Sequence, residues 1–316
     1  MDAMTSTQLL RRISLRQLQI FDAIVRTGNF TRAAESLFLT QPTVSMQVRK
    51  LEEGIGMPLF EHVGKHTHLT DTGRVVYAHA REALEALNNL HMEIADLKGL
   101  KTGTLRLAVV TTAKYFAPRA LGRFCERHPG VEVALKVTNR ERLLERLAEN
   151  IDDLYVMGHP PDSHDVIFEP YLDNPLVVVA SRRHPLAGCR GVTARDLAGC
   201  SFVMREPGSG TRMATENYFA EQGIRPRIRM ELGSNEAIKQ AIDAGLGISI
   251  LSRHTLGFDG ESGRLAILDV EGFPIPWQWY VGHARGKRLS VVARAFLEFL
   301  RNEGERIMEP RPDAAA

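Results

Sequence analysis

Residues 28–54, GNFTRAAESLFLTQPTVSMQVRKLEEG, constrain the fold of this 316-residue chain more tightly than any other stretch. Phe30, Ala33, Ala34 and Leu37 recur at i, i+3, i+4 and i+7, which draws one apolar stripe along a short helix. Val44, Val48 and Leu51 repeat at i, i+4 and i+7 behind Gln41 and Pro42, and proline is tolerated in a helix's first turn. Ala33 and Ala34 are small where two helix axes must come close. The outward side of the second helix carries Thr43, Ser45, Met46, Gln47, Arg49 and Lys50. A helix-turn-helix needs this pattern, one helix as a brace and the next projecting into a major groove. The same spacing by itself also fits an ordinary helical hairpin in a core.

The flanking residues choose between the two. Leu15 to Thr27 forms a leading helix with Leu18, Phe21, Ile24 and Val25 on one side, Ser14 as its N-cap and Gly28 as its stop. Gly54 and Gly56 are expected to break the second helix, leaving a recognition helix over about 41–53. Next come β-prone pieces around Leu59-Phe60 and from His66 to Leu69, flanking Gly64-Lys65. That is hairpin chemistry, and it predicts a wing against the DNA backbone. His62, Lys65, His66 and His68 are placed to reach phosphates there. The three histidines lack a Cys or carboxylate at the usual spacing, so no metal is expected. Thr43, Ser45, Met46 and Arg49 are assigned to base edges. Gln41, Gln47, Lys50 and Lys65 are assigned to phosphates, which fix register without specifying sequence.

A long helix from Thr70 or Asp71 to Leu97 follows. Val76, Ala80, Ala83, Leu87, Leu90, Ile94 and Leu97 are separated by alternating steps of four and three, a heptad seam that favours pairing with a second copy. Paired recognition helices would read a pseudo-palindromic site on double-stranded DNA. Beyond a short hinge, LKGLKTG, strands and helices alternate, which implies a parallel sheet covered by helices. TLRLAVV, VEVALKV and DDLYVMG are strands. Thr112–Arg127 and Arg140–Glu149 are helices. A second α/β unit starts near Asn174, and from about Leu268 the chain returns through PWQWYVGHARG and a helix over Leu289–Arg301. The domains expected are a winged helix-turn-helix (1–70), a dimerisation helix (71–98), a hinge (99–103), a two-lobed effector domain (104–305) and a tail (306–316). Lobe I takes residues 104–173 and 268–305, and lobe II takes 174–267.

Composition excludes little: 44% of residues are apolar, 25% charged, and net charge is +2, so any DNA binding must rest on a local basic surface. No apolar run is long enough to span a bilayer, and the N-terminus lacks the pattern of a secretory signal, so a cytoplasmic protein is expected. Cys125, Cys189 and Cys200 form no CxxC pair and are read as incidental thiols. No GxSxG elbow or metal-binding His/Glu spacing is present, so no enzyme is expected. A stand-alone two-lobed solute-binding protein would have no use for residues 15–97.

The stretch LRQLQIFDAIVRTGNFTRAAESLFLTQPTVSMQVRKLEEGIGMPLFEHVGKHTHLTDTG resembles the N-terminal signature of the LysR-type transcriptional regulators. His62 stands where many members carry Arg. The resemblance extends from about Leu15 to Arg301. It implies an α/β effector domain with a periplasmic-binding-protein-like fold, a homo-oligomer built as a dimer of dimers, and RNA polymerase as a partner. VVTTAKYFAPRALGRFCERHPGVEVALKVTNRERLLERL is similar to the CbbR-type regulators of carbon-fixation operons. That branch implies a small anionic effector of the sugar-phosphate, phosphoglycolate or NADPH type. A LysR-type regulator of another pathway, with an aromatic or organic acid as effector, is the alternative.

Open α/β sheets bind ligands at the C-terminal strand edge. There Thr111, Thr112 and Lys114 follow the first strand and open the next helix, an arrangement suited to an anion. Asn139 and Arg140 follow the second strand, and Gly158 closes the third. In lobe II, Arg205 precedes a Gly-rich loop with Ser209, Gly210, Thr211 and Arg212, and Asn235 starts another helix. Each alone is readily explained as a helix cap or surface charge. Together they give one cleft an excess of cations, which favours an anionic ligand. No cofactor is expected, since EPGSGTR is not a P-loop and the Gly245-Leu246-Gly247 turn falls short of a dinucleotide fingerprint.

Overall fold

A computed structural model describes residues 9, 11–63, 66–97, 102–257 and 263–307. The chain divides into two compact units, Met1–Ile94 and Ala95–Ala316. Lys65 of the wing, residue 98 at the end of the expected dimerisation helix, residues 99–101 of the hinge and the tail beyond 307 lie outside the described residues.

The first unit opens with α1 (Leu15–Thr27), α2 (Phe30–Ser36) and α3 (Gln41–Ile55). Ser14 and Gln17 form a capping box at the start of α1, and Gly28 ends it in the left-handed conformation. Ala33, Ala34, Val44 and Val48 are buried together with Ile20, Ala23 and Ile24, so both sequence stripes do face one core. The end of α3 differs from expectation. Gly54 lies inside the helix, and Gly56 at φ +84° stops it. A Cβ on Gly54 would sit 2.9 Å from the Arg12 carbonyl oxygen, so this glycine permits a close approach rather than a break.

The wing consists of β1 (Phe60–Val63) and β2 (His66–Leu69), paired antiparallel. Phe60 packs edge-on against Phe21 and Phe30, and the Glu52 carboxylate accepts the Leu59 N–H at 2.8 Å. These contacts fix the wing to α3. The long helix α4 (Asp71–Leu97) begins by packing on the same unit: Ala80 is buried with Leu18, Phe21, Leu51 and Leu59, and Val76 and Tyr77 pack against that cluster. The expected seam is thereby corrected at its start, where Val76 and Ala80 serve the chain's own core. Ala83 is half-buried, whereas Leu87, Leu90 and Ile94 are 42%, 52% and 44% exposed. The side chain of Leu97 lies outside what the structure describes.

In the second unit, lobe I is built on a five-stranded sheet. Its strands are β3 (Gly103–Val110), β4 (Val131–Thr138), β5 (Leu154–Met157), β6 (Val166–Asp173) and β12 (Gln278–Ala284), in the order β4-β3-β5-β12-β6. The sheet is mixed rather than wholly parallel. β3, β4 and β5 run together, and β12 returns antiparallel to β5 and β6. Helices α5 (Ala117–Arg127), α6 (Arg140–Ala148) and α10 (Val291–Ile307) belong to this lobe. Phe124 meets Phe296 and Phe299 at ring distances of 5.0 and 5.6 Å, which brings the last helix back onto α5.

Lobe II contains β7 (Leu176–Ser181), α7 (Ala194–Ala198), β8 (Ser201–Arg205), α8 (Gly210–Glu221), β9 (Arg227–Leu232), α9 (Asn235–Asp243), β10 (Ser249–Ser252) and β11 (Leu265–Ile267). β7 is central, between antiparallel β10 and β11, and all six of its residues are buried. Leu176, Val178 and Ala180 join one apolar cluster and Val177 and Val179 another, as a strand covered on both faces requires. β8 and β9 pair in parallel.

Candidate functional site

The N-terminal surface follows from α3. Val44, Val48 and Leu51 are fully or almost fully buried, which turns Gln41, Met46, Arg49 and Lys50 outward and leaves Thr43, Ser45 and Gln47 half-buried. Gln41 donates to the Ser45 hydroxyl at 3.0 Å, and the Thr40 and Thr43 hydroxyls are 2.8 Å apart. The first two turns therefore present a row of exchangeable hydrogen-bonding groups followed by two cations. Such a face is suited to base edges at one end and phosphates at the other.

The interlobe cleft is built differently from the sequence expectation. The helix predicted from Thr112 is instead a 3-10 turn, Ala113–Tyr115, followed by α5 from Ala117. Pro118 is the reason: it has no N–H for the Lys114 carbonyl and its ring would clash there, so it is accommodated only in a first turn. Thr112 is buried, and its hydroxyl accepts the Trp279 indole N–H at 3.1 Å. Asn139 serves as the N-cap of α6, accepting the Arg142 N–H. These two side chains are committed to the scaffold.

The cations are committed as well. Lys114 of lobe I pairs with Glu236 of lobe II at 2.5 Å, and Tyr115 donates to the same carboxylate. Burial acts to raise the Glu236 carboxyl, but the hydrogen bonds from Lys114 and Tyr115 outweigh it and hold the group at about 2. Arg212 pairs with Glu216 and Glu231, both at 2.7 Å, and donates to the Arg205 carbonyl. The expected surplus of free cations is corrected accordingly, because Lys114, Arg205 and Arg212 each have a carboxylate partner. Arg140 donates to the His159 carbonyl at 2.8 Å, and partial burial lowers its pKa.

Arg205 stands between the two lobes. It is 2% exposed, makes two bonds to Glu206 (2.8 and 2.9 Å), and donates to Asn235 Oδ1 at 2.9 Å and to the Thr111 hydroxyl at 3.0 Å. The Thr111 bond joins the lobes. Asn235 is 1% exposed and its Nδ2 has no hydrogen-bond partner. The amide cannot be turned over, since that would set its NH2 against the guanidinium N–H groups. A buried donor is therefore held beside Arg205 with nothing to bond, a costly arrangement that a ligand oxygen would satisfy.

Ser209, Arg212 and Arg140 line a cavity of about 540 Å³, together with Glu141, Leu144 and Pro207. Here the lobes touch through their main chains: the Glu141 N–H donates to the Gly208 carbonyl at 3.1 Å. Gly210 approaches the Arg140 stem, and Thr211 is buried, its carbonyl accepting the Thr215 hydroxyl. Gly158 belongs elsewhere. A Cβ there would lie 2.3 Å from the Trp277 indole nitrogen, and the residue lines a cavity of about 450 Å³ with His159, Trp277 and Tyr280. The predicted set thus splits into an Arg205–Asn235–Thr111 cluster, an Arg140–Ser209–Arg212 mouth, and Gly158 in a different cavity. Glu206, Tyr115 and Trp279 are site partners that the sequence pattern does not mark, whereas Glu236 follows Asn235 in the first turn of α9. Glu206 is the chain neighbour of Arg205, but Tyr115 and Trp279 meet partners 121 and 167 residues away, and no spacing rule links those.

A helix-turn-helix with an outward polar and cationic face, carried on the same chain as a two-lobed α/β module with an unsatisfied buried donor, defines a ligand-responsive DNA-binding regulator. Residues 15–74 match the bacterial regulatory helix-turn-helix protein, lysR family, and residues 98–305 match the LysR substrate binding domain. The chain belongs to the LysR family of transcriptional regulators. It is 49% identical to the HTH-type transcriptional activator CmpR of Synechocystis sp. over 291 residues, covering 92% of this chain and 96% of that protein. It is 48% identical to a RuBisCO operon transcriptional regulator of Acidithiobacillus ferrooxidans, covering 92% and 94%. The solved regulatory domain of Synechocystis CcmR in complex with 2-PG superimposes with a TM-score of 0.63 at 52% identity, covering 65% of this chain and 98% of that one. Among the described residues, no helix is long and apolar enough to cross a membrane.

Proposed function

We propose that this chain regulates carbon-fixation genes and that its two-lobed module responds to a small phosphorylated anion of the 2-phosphoglycolate type. The observation that carries the reading is the buried, unpartnered Asn235 Nδ2 beside Arg205 and Thr111. A phosphate or carboxylate oxygen would accept from Asn235 and draw on the Arg205 charge, competing with Glu206. The 2-PG complex of the CcmR domain and the carbon-fixation names among the relatives support this choice over an aromatic or other organic acid.

On the DNA side, α3 enters the major groove, with Thr43, Ser45, Met46 and Arg49 at base edges and Gln41, Gln47 and Lys50 at phosphates. The exposed Leu87, Leu90 and Ile94 form the part of α4 that pairs two chains as a coiled coil, and a dimer of dimers is the assembly we infer. The protein works in the cytoplasm, and we assign it no catalytic step.

Calorimetry with 2-phosphoglycolate, ribulose bisphosphate, NADPH and an aromatic acid tests the effector reading. Phosphorylated ligands are expected to bind, and Asn235→Asp to weaken them by about 100-fold by replacing a donor with a like charge. Binding of the aromatic acid alone would overturn the assignment.

A further inference from the structure

Phe38 sits in the turn between α2 and α3 with 96% of its surface exposed and φ at +54°. Its neighbours turn inward, since Leu37 and Leu39 both pack on the buried cluster of α1, α2 and α3. The turn closes α2 through its main chain. The Leu39 N–H donates to the Ala34 carbonyl at 2.9 Å, and the Phe38 N–H to the Glu35 carbonyl at 3.2 Å. This form of helix cap requires a left-handed residue at the position Phe38 occupies, where glycine or asparagine is accommodated at lower cost. A single exposed apolar side chain is ordinary. An aromatic ring held almost wholly in solvent at a backbone position that disfavours it contributes nothing to the fold in return.

Its place in the unit supplies the return. Phe38 is three residues before Gln41, the first residue of α3, so the two backbones are at most about 10 Å apart. In a helix-turn-helix the N-terminal residues of the second helix meet the base edges, and the turn feeding that end faces the same duplex. We propose that Phe38 contacts DNA, its ring packing on the apolar groups at the edge of the major groove that α3 enters. Thymine methyl groups and deoxyribose present such surface. The contact is apolar and uncharged, and it extends the polar face of α3 toward the backbone. It rests on the reading of α3 as the helix that enters the groove.

The test uses the full chain and a duplex that the wild type selects from a randomised library. Phe38→Asn and Phe38→Gly both suit the left-handed backbone. Each is expected to bind that duplex about tenfold more weakly, the loss of one buried aromatic contact. The Phe38→Asn unfolding midpoint should stay level or rise, and the salt dependence of binding should not change. Lys50→Ala, in contrast, should lower the slope of log K against log salt by about 0.9. If Lys50→Ala and Arg49→Ala weaken binding while both Phe38 variants bind normally, the Phe38 contact is refuted and the α3 reading stands. If none of the four variants weakens binding, the α3 reading itself fails. A fall in the Phe38→Asn midpoint alongside weaker binding would also overturn the contact, because the ring would then be serving the fold.

Discussion

Arg205 of lobe II donates from Nη2 to the Thr111 hydroxyl of lobe I at 3.0 Å, while its Nη1 holds Asn235 Oδ1 at 2.9 Å. One buried guanidinium therefore joins the two lobes and orients the donor left free for a ligand. Loss of the two ends should differ in size. Thr111→Val removes one acceptor and is expected to cost about 1 kcal/mol of unfolding free energy. Arg205→Met strips Glu206 of its cation and Asn235 of its donor and should cost about 3 kcal/mol. Urea denaturation of the two variants checks this, and equal effects would reduce the role of Arg205 to the single bond between lobes.

The Glu236 clasp predicts a pH signature. Its carboxyl is held at about 2 in the folded protein, against an ordinary value of 4.5. Between these values the unfolded chain binds the extra proton, so the clasp's contribution is complete above about pH 4.5 and is lost as pH falls toward 2. Glu236→Gln should therefore show a shallower loss of stability across this window than the wild type, read from unfolding midpoints at successive pH values. Parallel curves would mean that the Lys114–Glu236 pair is screened at the surface and contributes little.

Gly208 tests how tightly the lobe contact is set. Its φ is +80°, and an added Cβ would lie 2.3 Å from Glu141 Oε2 and 2.8 Å from Glu141 Cβ. Gly208→Ala is expected to strain the loop and wedge the main-chain contact apart, weakening effector binding by about tenfold and stability by about 1–2 kcal/mol. Calorimetry beside thermal unfolding separates the two effects. An alanine variant that binds as the wild type does would show that the cleft closes without this contact.

Leu87 and Leu90 lie on the exposed end of the α4 stripe. Leu87→Asp with Leu90→Asp should yield monomers by light scattering while unfolding of the effector module stays unchanged. Ala80→Asp, on the buried end, should instead unfold the N-terminal unit, because it places a charge among Leu18, Phe21, Leu51 and Leu59. A dimer that persists through the double substitution would refute pairing along α4.

Most elements were legible in the chain because their signals are local. Ser14 with Gln17, Gly28, and the stripes at Ala33–Ala34 and Val44–Val48 specify α1 to α3 through caps and periodicity alone. The strand runs LRLAVV and LVVVAS were equally plain, since strands buried on both faces read as continuous apolar sequence. β6, with its irregular alternation of half-buried and exposed residues, carried no such signal. Gly54 misled for a related reason: a glycine suits a helix end, but equally a close approach, and only the Arg12 carbonyl beside it distinguishes the two.

The sequence by itself determined the helix-turn-helix and most of the strands and helices of the two lobes. Each of these depends on residues within one or two turns of one another. The tertiary structure alone decided which charges remain available, because electrostatic partners are set by distance in space and not along the chain. Lys114 is answered by Glu236 from 122 residues away, Arg205 reaches Thr111 across 94, and Thr112 is taken by Trp279 across 167. Asn235 keeps one buried donor unpaired, and no pattern along the chain marks it for that role.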